Sequence, residues 1–446
     1  HGSVCEDYSE IETPVLAVGG WHDAYTNAIP RLLEGLGSQA KGIIGPWEHK
    51  YPNIARVGPA IDCLGECVRW WDRWLKGEAN GVETDPALRA YLRKDMMPSS
   101  KNGERSGVWV AEERWPSERS SRRAFHLAPG KLLDRPEIHG PIEISSPQDA
   151  GLMSGNFCPG MRVDDELPGD QRGDDEKSVV FDCEPLEADL AILGAPEFEC
   201  EFSCNAPQGM LVARLCEVAP DGASLRVSLN PLNLTHLSSH EMPEALEPGR
   251  TYRARIKLSD AGHVFKKGNR IRLALSTSYW PLIWPSPEAA VVTLEPGTAA
   301  LTLPVYQLDG ATAATFVAAP GQPESAIEDL RPASDDRQIS QAADGTVALI
   351  FTDDMGHSRH RQNGLETSSK VTHSYWIKPD DPLSARTEAA WSFETRRRDW
   401  HIATQSSSMM TCDAENFYLT AKLSAFKNGQ PVIERTWEET IRRDHV

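Results

Sequence analysis

Two stretches decide how this chain is read: "LAVGGWHDAY" at residues 16–25 and "KGIIGPWEHK" at residues 41–50. Each is a short apolar run that breaks at glycine and ends in Trp beside an ionisable side chain, Asp23 in one and His49 in the other. Runs of this length with β-branched residues read as strands covered on both faces, as in a parallel sheet. "AIPRLLEGL" between them reads as a short amphipathic helix. Beyond them Ile61, Leu64, Val68, Trp71 and Leu75 recur at helical spacing, with Asp62 as N-cap and Gly77 as the stop. On that face Trp71 and Trp74 read as core residues. Strand, helix, strand, helix is the end of an α/β sheet, and only the end, because two strands cannot form such a sheet alone.

From about residue 83 the texture changes. "RAFHLA", "SVVFDC", "FECEFSC", "MLVARLCEV", "TYRARIKL" and "RIRLALSTS" are short β-like runs separated by Pro, Gly and Asp turns. This predicts an antiparallel sandwich of the jelly-roll type. In "FECEFSC" the residues Phe198, Cys200, Phe202 and Cys204 fall on one face of a strand. "PASDDRQISQAADG" at 332–345 is polar and turn-rich and reads as a linker. The remaining runs, from "TVALIFT" to "QPVIERTWEETI", predict a β-meander, with Asn428-Gly429 as a two-residue hairpin turn. The expected division is therefore 1–82, the end of an α/β domain; 83–318, the sandwich; and 319–446, a β-rich extension.

Composition narrows the function. The 446 residues are 40% hydrophobic and 25% charged, as in ordinary globular chains, and the length has room for two or three domains. A formal net charge of −19 argues against nucleic acid or an anionic membrane surface as a partner, since their phosphates would be repelled. No stretch approaches the ~20 apolar residues of a membrane helix, and the N-terminus lacks a basic-then-apolar signal pattern. The chain opens on His1 and reaches its first strand by Val15, which reads as a piece of a longer polypeptide. Nine cysteines without paired metal-ligand spacing read as reduced, largely buried thiols, hence a cytoplasmic location, with no metal and no cofactor.

A serine hydrolase needs an imidazole to take the nucleophile's proton and a carboxylate to hold that imidazole in the right tautomer. In α/β-hydrolases these groups follow late strands in the order nucleophile, acid, base, and Asp23 precedes His49. On spacing alone, Asp23 capping the helix near Asn27 and His49 as a plain loop residue stands equally well. His22 cannot readily share a direction with its neighbour Asp23. "TDDMGHSRH" at 352–360 reads as a solvated loop rather than a metal site.

The motifs "GGWHDAYTNA", "GPWEH" and "RWWDRWLKG", in this order, resemble the X-Pro dipeptidyl-peptidase and cocaine-esterase group of serine hydrolases. "DQRGDD" (170–175), "LVARLCEVAPDG" (211–222), "LNLTH" (232–236) and "GNRIRLALSTSYWPLIWPSP" (268–287) resemble that group's C-terminal jelly roll, so the likeness spans about residues 11–305. It implies hydrolysis of small ester, amide or peptide substrates through an acyl-enzyme, with Asp23 as triad acid and His49 as general base. It also implies that Tyr25, and more weakly Trp21, line the substrate pocket; relatives often have Gly after the acid where this chain has Ala24. No serine here lies in G-x-S-x-G, so the nucleophile is expected upstream, in an N-terminal part of the hydrolase domain that partners this chain. The chain alone is then expected to be inactive. Two alternatives stay open, a strict X-Pro dipeptidyl peptidase and a non-catalytic jelly roll for carbohydrate binding or assembly. A homo-oligomer is left open too.

Overall fold

In a computed structural model the chain is described over residues 7–94, 97–321 and 326–446. It is an α/β edge followed by an antiparallel β-sandwich and a β-meander. Val15–Gly20 pairs in parallel with Ala40–Gly45, from Val15 opposite Ala40 to Gly20 opposite Gly45. Helix Ala28–Leu36 makes the crossover and buries Ile29, Leu33 and Leu36 against this pair. Ala40–Gly45 in turn pairs in parallel with Leu88–Arg93, which runs antiparallel to Gly107–Glu112. The sheet thereby continues into the sandwich, where His263 bridges to Arg93.

Ala40–Gly45 is almost wholly buried, as its apolar run predicts. Val15–Gly20 is only partly covered, because among the described residues no strand pairs with its outer edge. The expectation that both strands are enclosed is corrected for the first.

Helix Cys63–Lys76 begins where Asp62 accepts the Gly65 amide at 2.9 Å and ends at Gly77, whose φ of 75° gives the left-handed turn that glycine adopts without strain. Its burial corrects the reading of its face. Trp70 and Cys63 are buried, whereas Leu64, Val68, Trp71, Trp74 and Leu75 are exposed. The inward side is instead fastened by charge: Glu66 accepts Arg69 at 3.1 Å and Arg89 at 2.8 Å. Periodicity shows which face is apolar; it does not show what packs on it.

The sandwich core contains Phe198, Cys200, Phe202 and Cys204, none more than 2% exposed, packed with Leu211, Phe265, Leu273 and Leu301. Among the described residues all eight cysteines are free thiols; Cys5 lies outside them. No helix among these residues is long and apolar enough to cross a membrane.

The meander runs through Val347–His360, Glu366–Lys378, Asp381–Arg397, Trp400–Cys412, Asn416–Lys427 and Gln430–Arg442, each antiparallel to the next. Asn428 and Gly429 have φ of 51° and 78°, the two positive values a type I′ turn requires, and Lys427 faces Gln430 across it. Two expectations are overturned. Residues Ser334–Gln341 are not a linker but a strand paired with Val347–Asp354, polar because it forms a solvated edge. Residues 352–360 are not a loop but the end of Val347–His360, which bulges between Asp354 and His357 around Gly356. Val347, Leu349, Phe351 and Ile377 seat the meander on Leu152 and Trp280 of the sandwich.

Candidate active site

The turns after the two parallel strands are tied together through their backbones. Trp21 N–H donates to the Gly45 carbonyl at 2.9 Å and His22 N–H to the Trp47 carbonyl at 3.0 Å. Gly20 is required here, since a Cβ on it would strike the Trp47 carbonyl. This lashing places Asp23 and His49 side by side, with Nδ1 of His49 3.0 Å from Oδ2 and 3.2 Å from Oδ1 of Asp23. The Tyr25 amide donates to Asp23 Oδ1 at 2.9 Å and fixes the carboxylate. The helix that follows has Asn27 as N-cap with no side-chain cap, so Asp23 is engaged by His49 and its own turn rather than by the helix. With Nδ1–H donating to Asp23, a neutral His49 presents its lone pair on Nε2, the arrangement of a general base.

Tyr25 is 65% exposed, with its ring centroid 5.6 Å from that of His49. Trp21 donates from Nε1 to the Tyr91 carbonyl at 2.6 Å and lines a cavity of about 200 Å³ together with His22, Asp23, Phe157, Asp260 and Leu282. His22 is held neutral. Its Nδ1 donates to the Pro46 carbonyl at 2.6 Å while Nε2 accepts from Arg93 at 2.7 Å. Burial, and then the Arg93 charge, push it well below the ordinary histidine range.

Several residues at the site carry no signal in the sequence. The His49 amide donates to the Pro159 carbonyl at 2.8 Å, bringing the segment 156–166 against the imidazole loop. Cys158 on that segment lies with Asp23 and His49 such that one ligand atom from each falls within 4.8 Å of the others. The segment is moulded around Glu166, which accepts the amides of Gly160 at 2.7 Å, Met161 at 3.2 Å and Arg162 at 2.9 Å. Arg56 joins Glu166, at 3.0 Å, to Glu48, whose carboxylate also accepts the Arg56 and Val57 amides at 2.9 and 3.0 Å. Glu48 is buried immediately before His49 in the chain. These partners meet by tertiary closure, so no local spacing could have announced them.

Residues 80–326 match the family model of the X-Pro dipeptidyl-peptidase C-terminal non-catalytic domain, and residues 1–51 match that of X-Pro dipeptidyl-peptidase, S15 family. The first match covers more than half of the chain, and the chain belongs to the X-Pro dipeptidyl-peptidase and cocaine-esterase group through this C-terminal portion. The cocaine esterase of Rhodococcus sp. (strain MB1 Bresler) is 21% identical over 305 residues, 63% of this chain and 51% of that protein. An aminopeptidase from a marine sediment Thaumarchaeota archaeon shares the fold at TM-score 0.55 and 18% identity, over 67% of this chain and 56% of its own. An α-amino-acid ester hydrolase does so at TM-score 0.50 and 18% identity, over 66% and 55%. The chain spans about half the length of the curated relatives it matches.

Proposed function

We propose that this chain supplies the acid, Asp23, and the base, His49, of a serine hydrolase that cleaves small ester or amide substrates through an acyl-enzyme. The observation that carries this reading is the 3.0 Å contact between His49 Nδ1 and an Asp23 carboxylate already oriented by the Tyr25 amide. In the reaction His49 Nε2 takes the nucleophile's proton, Asp23 holds the tautomer and stabilises the imidazolium, and His49 returns the proton to the leaving group. Tyr25 and Trp21 border the substrate. The nucleophile comes from an N-terminal hydrolase part outside this sequence, which has no G-x-S-x-G elbow. Residues 1–82 then complete the α/β domain, 83–318 form a jelly-roll unit and 319–446 an extension. The free thiols favour a reducing cytoplasm. A retained acid–base pair has no use in a carbohydrate-binding or assembly module, so the enzymatic reading is preferred to that one.

The test is hydrolysis of a nitrophenyl acyl ester. The chain alone should not exceed a buffer control, the chain joined to its upstream hydrolase part should turn over, and His49→Ala in the joined protein should abolish turnover. Stoichiometric labelling of a serine in this chain by a fluorophosphonate would overturn the assignment of the nucleophile to another segment.

A further inference from the structure

We propose that Asp23, His49 and Cys158 together form a binding site for a divalent transition-metal ion of the zinc class. The three donors converge from separate segments: the turn after the first strand, the turn after the second, and the 156–166 segment. One ligand atom from each lies within 4.8 Å of the other two, a separation that modest side-chain rotation brings to a common ion. The carboxylate and imidazole already stand 3.0 Å apart, close to the edge of a zinc coordination polyhedron. The Pro159 carbonyl bond to the His49 amide pins the segment one residue from the thiol, and Glu166 holds the three amides beyond it. The site is therefore built from ordered backbone.

The donor set decides the class of ion. One sulfur, one imidazole nitrogen and one carboxylate oxygen suit zinc or cobalt and do not suit calcium or magnesium, which take oxygens. Asp23 and Cys158 are half-buried and the His49 side chain is 43% exposed, so an ion can enter and a water can complete the tetrahedron. On binding, the thiol releases its proton to solvent and its sulfur bonds the metal as the thiolate. Nδ1 of His49 gives its lone pair to the metal, and the single ring proton moves to Nε2.

That last change has a functional consequence, which rests on the acid–base reading above. With Nε2 carrying the proton, His49 has no lone pair for a nucleophile's hydrogen, and the metal acts as an inhibitor that competes for the base.

The test is titration of the 446-residue chain with Co²⁺, followed by Zn²⁺ competition. One equivalent of Co²⁺ should produce a thiolate-to-cobalt charge-transfer absorption that Zn²⁺ removes. The absorption should be lost in Cys158→Ser and in His49→Ala, and kept in His240→Ala, which disrupts a separate imidazole pair, His236 and His240, with Nδ1 atoms 3.3 Å apart. Cys158→Ala, with an unchanged melting curve, guards against loss through misfolding. Absorption that survives Cys158→Ser, that disappears in His240→Ala, or that never saturates in the parent chain would overturn the site. In the joined protein Zn²⁺ should suppress ester turnover and a chelator restore it. Stoichiometric zinc with turnover unchanged would overturn the inhibitory role while the spectroscopic assignment stands, which separates the two claims.

Discussion

Asp353, on the first long strand of the meander, accepts Arg162 Nε at 2.5 Å, and both side chains are buried. Arg162 belongs to the segment that packs on the His49 loop, and its guanidinium lies 4.3 Å over the Phe351 ring. A buried ion pair thus joins the meander to the candidate site, through Glu166, Arg56 and Glu48. The meander is a structural support of the site's outer wall.

Replacing Asp353 by Ala should cost about 3–5 kcal/mol, because an uncompensated guanidinium stays buried. Urea unfolding followed by tryptophan fluorescence reads the loss. A change below about 1 kcal/mol, typical of an exposed pair, would mean that Arg162 reaches solvent when its partner is removed.

The meander offers a second, local test at its last hairpin. Gly429 sits at φ 78°, where a Cβ is strained, so Gly429→Ala should destabilise the hairpin by about 1 kcal/mol. Asn428→Gly should cost less, since glycine accepts the φ of 51° and only the exposed 3.0 Å bond from the His401 amide to Asn428 Oδ1 is lost. Hydrogen exchange across 416–442 should quicken more in the first variant than in the second.

Much of this architecture is legible before any coordinates, and the reason is local. Residues 16–25 and 41–50 announce strands because enclosed strands are continuously apolar, and they place Asp23 and His49 because such turns follow strand ends. Phe198, Cys200, Phe202 and Cys204 announce a buried face because strand side chains alternate. What is missed has a common cause too. Trp71 and Trp74 are apolar and correctly periodic, yet Trp70 is the buried one, because packing partners are absent from a periodicity. Ser334–Gln341 reads as a linker because a solvated edge strand needs no apolar residue. Cys158, Glu166 and Asp353 reach the site only through tertiary closure.

The thiols separate these two situations experimentally. Burial pushes Cys200 up to about 12, and Cys204 is likewise raised by burial, so neither should react with a maleimide while the sandwich is folded. Cys67, Cys158 and Cys412 are only half-buried and should be modified first. Peptide mapping after brief labelling gives the order, and early modification of Cys200 would contradict the sandwich core.

For the acid, substitution by its amide keeps the shape and removes the tautomer control. In the joined protein Asp23→Asn should lower kcat by roughly 10⁴, as loss of the correct tautomer does in triads of this kind. With Asp23 in its proposed role of orienting the base, the effect should fall on kcat far more than on KM. An equal rise in KM with kcat preserved would make Asp23 a binding group instead.

Asp260 lines the cavity beside Asp23. Burial pushes its carboxyl up from 3.8 to about 7, with Lys257 opposing and Glu34 reinforcing the shift. The folded state therefore binds this proton more tightly than the unfolded state. Its contribution to stability is fully present below about pH 3.8 and is lost as pH rises through about 7. Asp260→Asn removes the titration while keeping the side chain's size. The difference in melting temperature between variant and parent should then grow from acid to neutral pH, the variant gaining, and level off above about pH 7. Many other groups titrate over this range, and the difference between the two proteins cancels them. Parallel melting profiles from pH 4 to 8 would show that Asp260 ionises freely in the fold. The cavity beside Asp23 would then be wet enough to solvate a second carboxylate.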